Sequence, residues 1–170
     1  MFRKPVAADG PAISGLIAAS APLDPNSAYC NLLQCTDFAD SCIVAECDGT
    51  VGGWVSGYRL PASPETFFVW QVAVTNSMRG RRLASRMIEA LLDRPEQAGV
   101  TSLTTTITRD NRASWALFEG LARDWSAPIE RTIRFECETH FTGAHATEWQ
   151  VRIGPLPRRG AAAAEGKPIS

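Results

Sequence analysis

The stretch Thr66-Phe-Phe-Val-Trp-Gln-Val-Ala-Val74 decides how the rest of this chain is read. It is rich in β-branched and aromatic side chains, and its apolar character on both faces is broken only at Gln71. That pattern predicts a central strand covered on two sides. Shortly afterwards Arg79-Gly-Arg-Arg-Leu-Ala84 leads into a helix with Leu83, Met87, Ala90 and Leu91 on one side. A strand that feeds a helix through a basic turn presents unpaired backbone N–H groups and the positive end of the helix dipole, which suit a phosphate or pyrophosphate. Arg79, Arg81 and Arg82 add countercharge, although arginines near a helix start also suit a plain solvated face. The turn is neither a G-x-x-x-x-G-K-[ST] loop nor a G-x-G-x-x-G dinucleotide turn.

Upstream of this unit, Ser41–Glu46 reads as an apolar strand, Asp48-Gly49 as a hairpin turn and Val51–Tyr58 as the return strand. Gly52, Gly53 and Gly57 weaken that strand unless something packs close to its backbone. Earlier still, Phe2–Pro5 is a short strand, and Asp9 is placed to cap a helix carrying Pro11, Ile13, Leu16 and Ile17. Asn26 or Ser27, in the turn-rich loop Pro22–Ser27, caps a second helical stretch with Tyr29, Leu32 and Leu33. Downstream come a β-branched strand over Thr101–Thr108 and a helix opened by Asp110-Asn111 that runs through Ala113, Leu117 and Leu121. Two strands, near Ile129–Glu136 and Glu148–Ile153, close the domain. The order β-α-α-β-β-β-α-β-α-β-β predicts an α+β sheet with helices on its faces. Residues 1–157 read as a single domain, and 158–170, poor in large apolar side chains, as a disordered tail.

Composition bounds the function classes. The chain has 170 residues, 45% of them hydrophobic, with five Trp and seven Phe, enough for a sizeable core. Seventeen Lys+Arg stand against 18 Asp+Glu, a net charge of −1, which argues against a nucleic-acid footprint. No run is long enough for a membrane span, and the start MFRKPVAADG has no apolar signal-peptide core, so a soluble cytoplasmic protein is expected. The five cysteines, Cys30, Cys35, Cys42, Cys47 and Cys137, are an odd number and read as reduced thiols. Their C-x4-C-x6-C-x4-C spacing is looser than zinc knuckles, and Cys42 and Cys47 point to opposite faces of a strand, so no metal is expected.

The turn Arg79-Gly-Arg-Arg-Leu-Ala84 resembles the acetyl-CoA motif [QR]-x-x-G-x-[GA] of the GNAT superfamily of N-acetyltransferases, and Asn111-x-Ala113-Ser-x-x-Leu117-Phe118 resembles its second motif, N-x-x-A-x-x-L-Y. Arg82 replaces the usual Gly, and Phe118 replaces the Tyr, so no phenolic general acid stands there. Within that superfamily, longer blocks resemble the L-2,4-diaminobutyrate acetyltransferase family: Pro22 to Gln34, Phe38 to Glu46, Gly53 to Arg59, Phe68 to Val74, Thr105 to Thr108, and Ser114 to Phe118. That family usually ends in H-D-T-E-H, where this chain has His145-Ala-Thr-Glu-Trp149.

The resemblance implies a mostly antiparallel central sheet, splayed at its central strand, and a homodimer. It also implies direct acetyl transfer from acetyl-CoA to the 4-amine of L-2,4-diaminobutyrate, a step of ectoine biosynthesis and hence of osmoadaptation. Val72 and Val74 would hold the pantetheine arm, Arg79, Gly80, Arg81, Arg82, Leu83 and Ala84 the pyrophosphate, with Asn111 and Phe118 contacting the cofactor from the next helix. Asp24, Asn26, Tyr29, Asn31 and Gln34 form a polar block tied to substrate by the same resemblance. Turn and cap chemistry also suits Asp24 and Asn26, and Tyr29 is in phase to pack with Leu32 and Leu33. Gln71, lone and polar in its strand, is either paired structurally or turned toward ligand, and Trp70 reads as core before it reads as a wall of the substrate site. For the proton the amine must lose, Glu148 is the preferred base, with His145, His140 or a water relay as alternatives.

Overall fold

The computed structural model describes residues 1–157. The expected tail therefore lies outside the described residues. Phe2–Arg3 (β1) pairs with Ile43–Cys47 (β2), which turns through Asp48 and Gly49, both at positive φ, into Thr50–Leu60 (β3). A tight turn then leads to Ser63–Val74 (β4), and Ser102–Thr108 (β5), Ile129–Phe135 (β6) and Glu148–Ile153 (β7) complete a seven-stranded sheet. The order is β1-β2-β3-β4-β5-β7-β6, and every pairing is antiparallel except β4 with β5. The expected central strand is thus the middle strand of a mixed, mostly antiparallel sheet.

Helices Gly10–Ala18 (α1) and Ala28–Cys35 (α2) lie on one face, where Ile13, Ile17 and Cys35 pack with Cys42, Val44, Trp54 and Ala73. Leu83–Leu92 (α3) and Arg112–Asp124 (α4) cover the other, where Met87, Ile88, Leu91, Phe118 and Leu121 meet Val55, Phe67, Val69, Leu103, Val151 and Ile153. Burial pushes the Cys35 thiol up to about 11 and the Cys42 thiol up to about 12, so both behave as small apolar side chains.

Local chemistry explains most element starts, with one correction. Asp9 does not cap α1: its carboxylate takes two hydrogen bonds from the Arg3 guanidinium, at 2.7 and 2.8 Å, and a third from the Val6 N–H at 2.8 Å. The Arg3 guanidinium holds its carboxyl below the usual range. Ser27 is the cap of α2, accepting the Cys30 N–H at 3.1 Å, and Asn111 is the cap of α4, accepting the Ser114 N–H at 3.1 Å. One α-helix was not anticipated, a five-residue helix at Cys137–Phe141 (α5) between β6 and β7. The β3 glycines do face close neighbours. A Cβ at Gly52 or Gly53 would meet a methionine sulfur, of Met78 and Met87 respectively, and one at Gly57 would lie 2.4 Å from the Phe67 ring.

Candidate active site

The site begins where β4 leaves β5. Their ladder runs only from Thr66–Ser102 to Phe68–Thr104, and the Thr105 hydroxyl donating to the Val69 carbonyl at 2.9 Å is the last link. On the β3 side the register places Gly57 opposite Val69 and Ser56 opposite Gln71, so it passes over Trp70. An extra residue of this kind shifts the side-chain alternation by one. Phe67 and Val69 sit in the α3–α4 core; beyond the bulge it is Val72 and Val74 that pack there, while Ala73 joins the α1–α2 core. Trp70 is 47% exposed and lies edge-on to Tyr58, so it is not core as first expected.

A cleft of about 330 Å³ fills the gap. Val72 and Val74 line it from β4, Arg79, Gly80, Arg82, Leu83 and Ala84 from the turn into α3, Asn111 and Leu117 from α4, and Ser20–Leu23 from the opposite loop. Pro22 and Leu23 open the block that resembles the diaminobutyrate acetyltransferases, whereas Ser20 and Ala21 carry no signal of a site in the sequence. Two expected cofactor residues do not line the cleft. Arg81 is not among the lining residues, and Phe118, 2% exposed, belongs to the core between α4 and the sheet. In the turn, Gly80 has φ +76 and Arg82 has φ +56, ψ +23 at the cap of α3. Arg82 forms an ion pair with Asp124 at the end of α4, and the Arg79 Nε donates to the Val74 carbonyl at 3.2 Å. Asn111 uses its side-chain carbonyl as a cap, which leaves its NH2 as the donor available to the cleft.

Beside Gln71 lies an ionic cluster. His145 Nε2 is 3.0 Å from Asp24 Oδ2 and 3.8 Å from Glu148 Oε1, and its Nδ1 is 2.7 Å from the Ala146 carbonyl. Acceptors at both ring nitrogens favour the imidazolium, so the His145 pKa is raised, first by the Ala146 carbonyl and then by Asp24. Burial pushes the Glu148 carboxyl up, while His145 and the Thr106 hydroxyl pull it back. A half-buried carboxyl with these opposing influences has the character of a group that can take and release a proton.

The amides of the polar block hold this cluster in place. Gln71 Nε2 donates to the Asp24 backbone carbonyl at 2.8 Å, and Asn26 Nδ2 donates to Gln71 Oε1 at 2.8 Å and to Asn31 Oδ1 at 3.3 Å. Asn31 Nδ2 in turn donates to the Ser14 hydroxyl at 2.8 Å. Gln71 and Asn26 thus fasten the loop before α2 across β4 and aim Asp24 at His145. Gln34 is buried on the same helix, with neither amide atom partnered among the described residues. Tyr29 is exposed and neither packs nor joins the cluster. Phe141 of α5, whose ring centroid is 4.7 Å from that of His145, is a neighbour the sequence did not signal.

Residues 16–122 match the model of the acetyltransferase (GNAT) family. The chain belongs to the GNAT family. It is 46% identical to the L-2,4-diaminobutyric acid acetyltransferase of Methylotuvimicrobium alcaliphilum, over 91% of this chain and 90% of that protein. Identity to the Halomonas elongata enzyme of the same name is 49%, over 91% and 81%. Among solved structures it resembles the diaminobutyrate acetyltransferase of Paenibacillus lautus, in complex with L-2,4-diaminobutyric acid and coenzyme A. That match has a TM-score of 0.87 and 38% identity, and covers 94% of this chain and 98% of the other. The ribosomal-protein-S18-alanine N-acetyltransferase of Escherichia coli, at 17% identity and TM-score 0.64, shares the GNAT fold.

Proposed function

We propose that this GNAT chain transfers the acetyl group of acetyl-CoA to the 4-amine of L-2,4-diaminobutyrate, giving N4-acetyl-L-2,4-diaminobutyrate, as a step of ectoine biosynthesis serving osmoadaptation. The observation that carries the reading is the juxtaposition of the cleft at the β4–β5 parting with the Asp24–His145–Glu148 cluster beside it. Similarity to enzymes named for this substrate supplies its identity. The parted edge of β4 at Val72–Val74 suits the amide-bearing pantetheine arm, and the left-handed backbone at Gly80 and Arg82, with the N-terminus of α3, suits the pyrophosphate. Acetyl-CoA supplies the thioester: its C–S bond breaks as the new C–N bond forms, and the departing CoA thiolate takes up the second proton lost by the attacking nitrogen, through water.

The chain's own residues manage protons and charge. An alkylammonium has a pKa of about 10.4 in water and must lose a proton before attack. Glu148, with its raised pKa, takes that proton directly or through water, and Asp24 holds the second ammonium. A backbone N–H of the parted strand is suited to the oxyanion. Transfer is direct: burial holds the Cys35 and Cys42 thiols protonated, and no described cysteine bonds a histidine. The enzyme is further proposed to be cytoplasmic and homodimeric; no helix among the described residues is long and apolar enough to cross a membrane.

CoA release measured with L-2,4-diaminobutyrate, ornithine, lysine and a peptide panel tests this, with NMR of the product fixing the acetylated nitrogen. Diaminobutyrate should give the highest kcat/KM and N4 the label. A higher kcat/KM for another amine or a peptide would move the enzyme to a different substrate class. Tight acetyl-CoA binding without turnover of any amine would make the protein an acyl-CoA sensor.

A further inference from the structure

Arg134 is a cation for which no described residue supplies a carboxylate. Arg3 is answered by Asp9 and Glu46, Arg82 by Asp124 and Arg131 by Glu119, while Arg134, like several arginines elsewhere on the surface, has no such partner. What sets it apart is its place. Arg134 instead lies over two aromatic rings, its guanidinium carbon 5.4 Å from the centroid of Phe68 and 5.2 Å from that of Phe135. The β6–β7 register pairs Ile133 with Trp149 and Phe135 with Glu148, so it passes over Arg134 as the β3–β4 register passes over Trp70. Residues skipped in this way are re-aimed out of the regular alternation.

The two rings place the cation between the walls of the proposed site. Phe68 packs against Tyr58, and Tyr58 against Trp70 at the β4 bulge. Phe135 pairs in the sheet with Glu148 and packs against Phe141, which lies against His145. We infer that Arg134 receives the α-carboxylate of the substrate and so selects an amino acid over a simple amine. This rests on the diaminobutyrate reading and deepens it. A substrate with two amino groups and one carboxylate meets acids at Asp24 and Glu148, which it shares with His145, and a guanidinium at Arg134 that no described acid occupies. Stacking on rings leaves the guanidinium edge free, and that fork binds a carboxylate through two parallel hydrogen bonds.

The test compares L-2,4-diaminobutyrate with its carboxamide, which keeps both amines and the shape but loses the negative charge. The unsubstituted enzyme should prefer the acid. In Arg134→Gln the kcat/KM for the acid should fall by roughly ten- to a hundredfold, the scale of a lost charge-assisted hydrogen bond. The value for the carboxamide and the KM for acetyl-CoA should stay nearly unchanged, and Arg134→Lys should keep an intermediate preference. A parallel fall for both substrates, or an acid preference undiminished in both variants, would overturn the assignment and return Arg134 to packing. Failure of the unsubstituted enzyme to acetylate diaminobutyrate is a separate result, which removes the substrate reading and this role with it.

Discussion

Arg82 holds a backbone conformation that side chains with a Cβ avoid. Its φ of +56 is left-handed, and for L-residues that region costs roughly 1–2 kcal/mol relative to the right-handed one. Glycine enters it freely, which is the physical sense of a Gly at position four of the acetyl-CoA motif. From the sequence, Arg82 reads as a loss of close approach to the pyrophosphate. In the structure the turn keeps its left-handed geometry, and the guanidinium reaches out to Asp124, joining α3 to α4. The expected outcome is an ordering of two variants. Arg82→Gly and Arg82→Ala both lose the ion pair, but Gly relieves the backbone, so it should melt about 2–4 °C above Ala, the shift for about 1 kcal/mol at this chain length. Equal melting temperatures by calorimetry would mean that the turn relaxes and that its conformation is not fixed by the fold. Asp24 and Asn26 were less legible for a related reason: residues that suit turns also suit sites, and only the bonds from Asn26 to Gln71 and from Asp24 to His145 separate the two uses.

At the scale of elements, caps and hairpin chemistry located nearly every strand and helix, because those signals are local. The bulge at Trp70 was not legible. A run such as Phe67–Val74, apolar on both faces, carries no period-2 phase for an extra residue to break, so Trp70 was expected in the core and Gln71 was left between structural pairing and a turn toward ligand. Helix α5 escaped because five residues carry too little periodicity to register. Gly57 shows how tightly the bulged register is held. A Cβ there would lie 2.4 Å from Phe67 Cε1 and 2.5 Å from the Phe68 backbone oxygen, in a buried pair of strands. At Gly52 the close neighbour, at 2.6 Å, is the sulfur of Met78, the far part of a flexible side chain. Gly57→Ala is therefore expected to cost about 1–3 kcal/mol in urea unfolding, as overpacked cores do, and Gly52→Ala well under half of that. Equal costs would show that strand entropy, and not the approach of β3 to β4, governs both positions.

For the whole molecule, near-zero net charge conceals a separation of charge. Arg79 and Arg82 line the cleft proposed for a polyanionic cofactor, while Asp24 and Glu148 face the place proposed for a diamine. Two sites of opposite character thus meet where one strand leaves its neighbour. The proposed homodimer belongs to this scale as well. β6 is the last strand of the sheet, so its outer backbone groups are open to pairing, and it displays Ile133 at 49% and Phe135 at 38% exposure. An edge with apolar side chains and unpaired backbone is a place where chains associate unless something covers it. At the other edge, β1 has only two residues and offers far less to pair with. Sedimentation equilibrium should therefore give twice the chain mass, and Ile133→Glu should give the single-chain mass, since burying a lone carboxylate in an apolar interface costs more than the contact returns. Melting of Ile133→Glu separates the outcomes. A folded monomer assigns the interface to β6, a dimer unaffected by the charge places it elsewhere, and a monomer before substitution removes the dimer altogether.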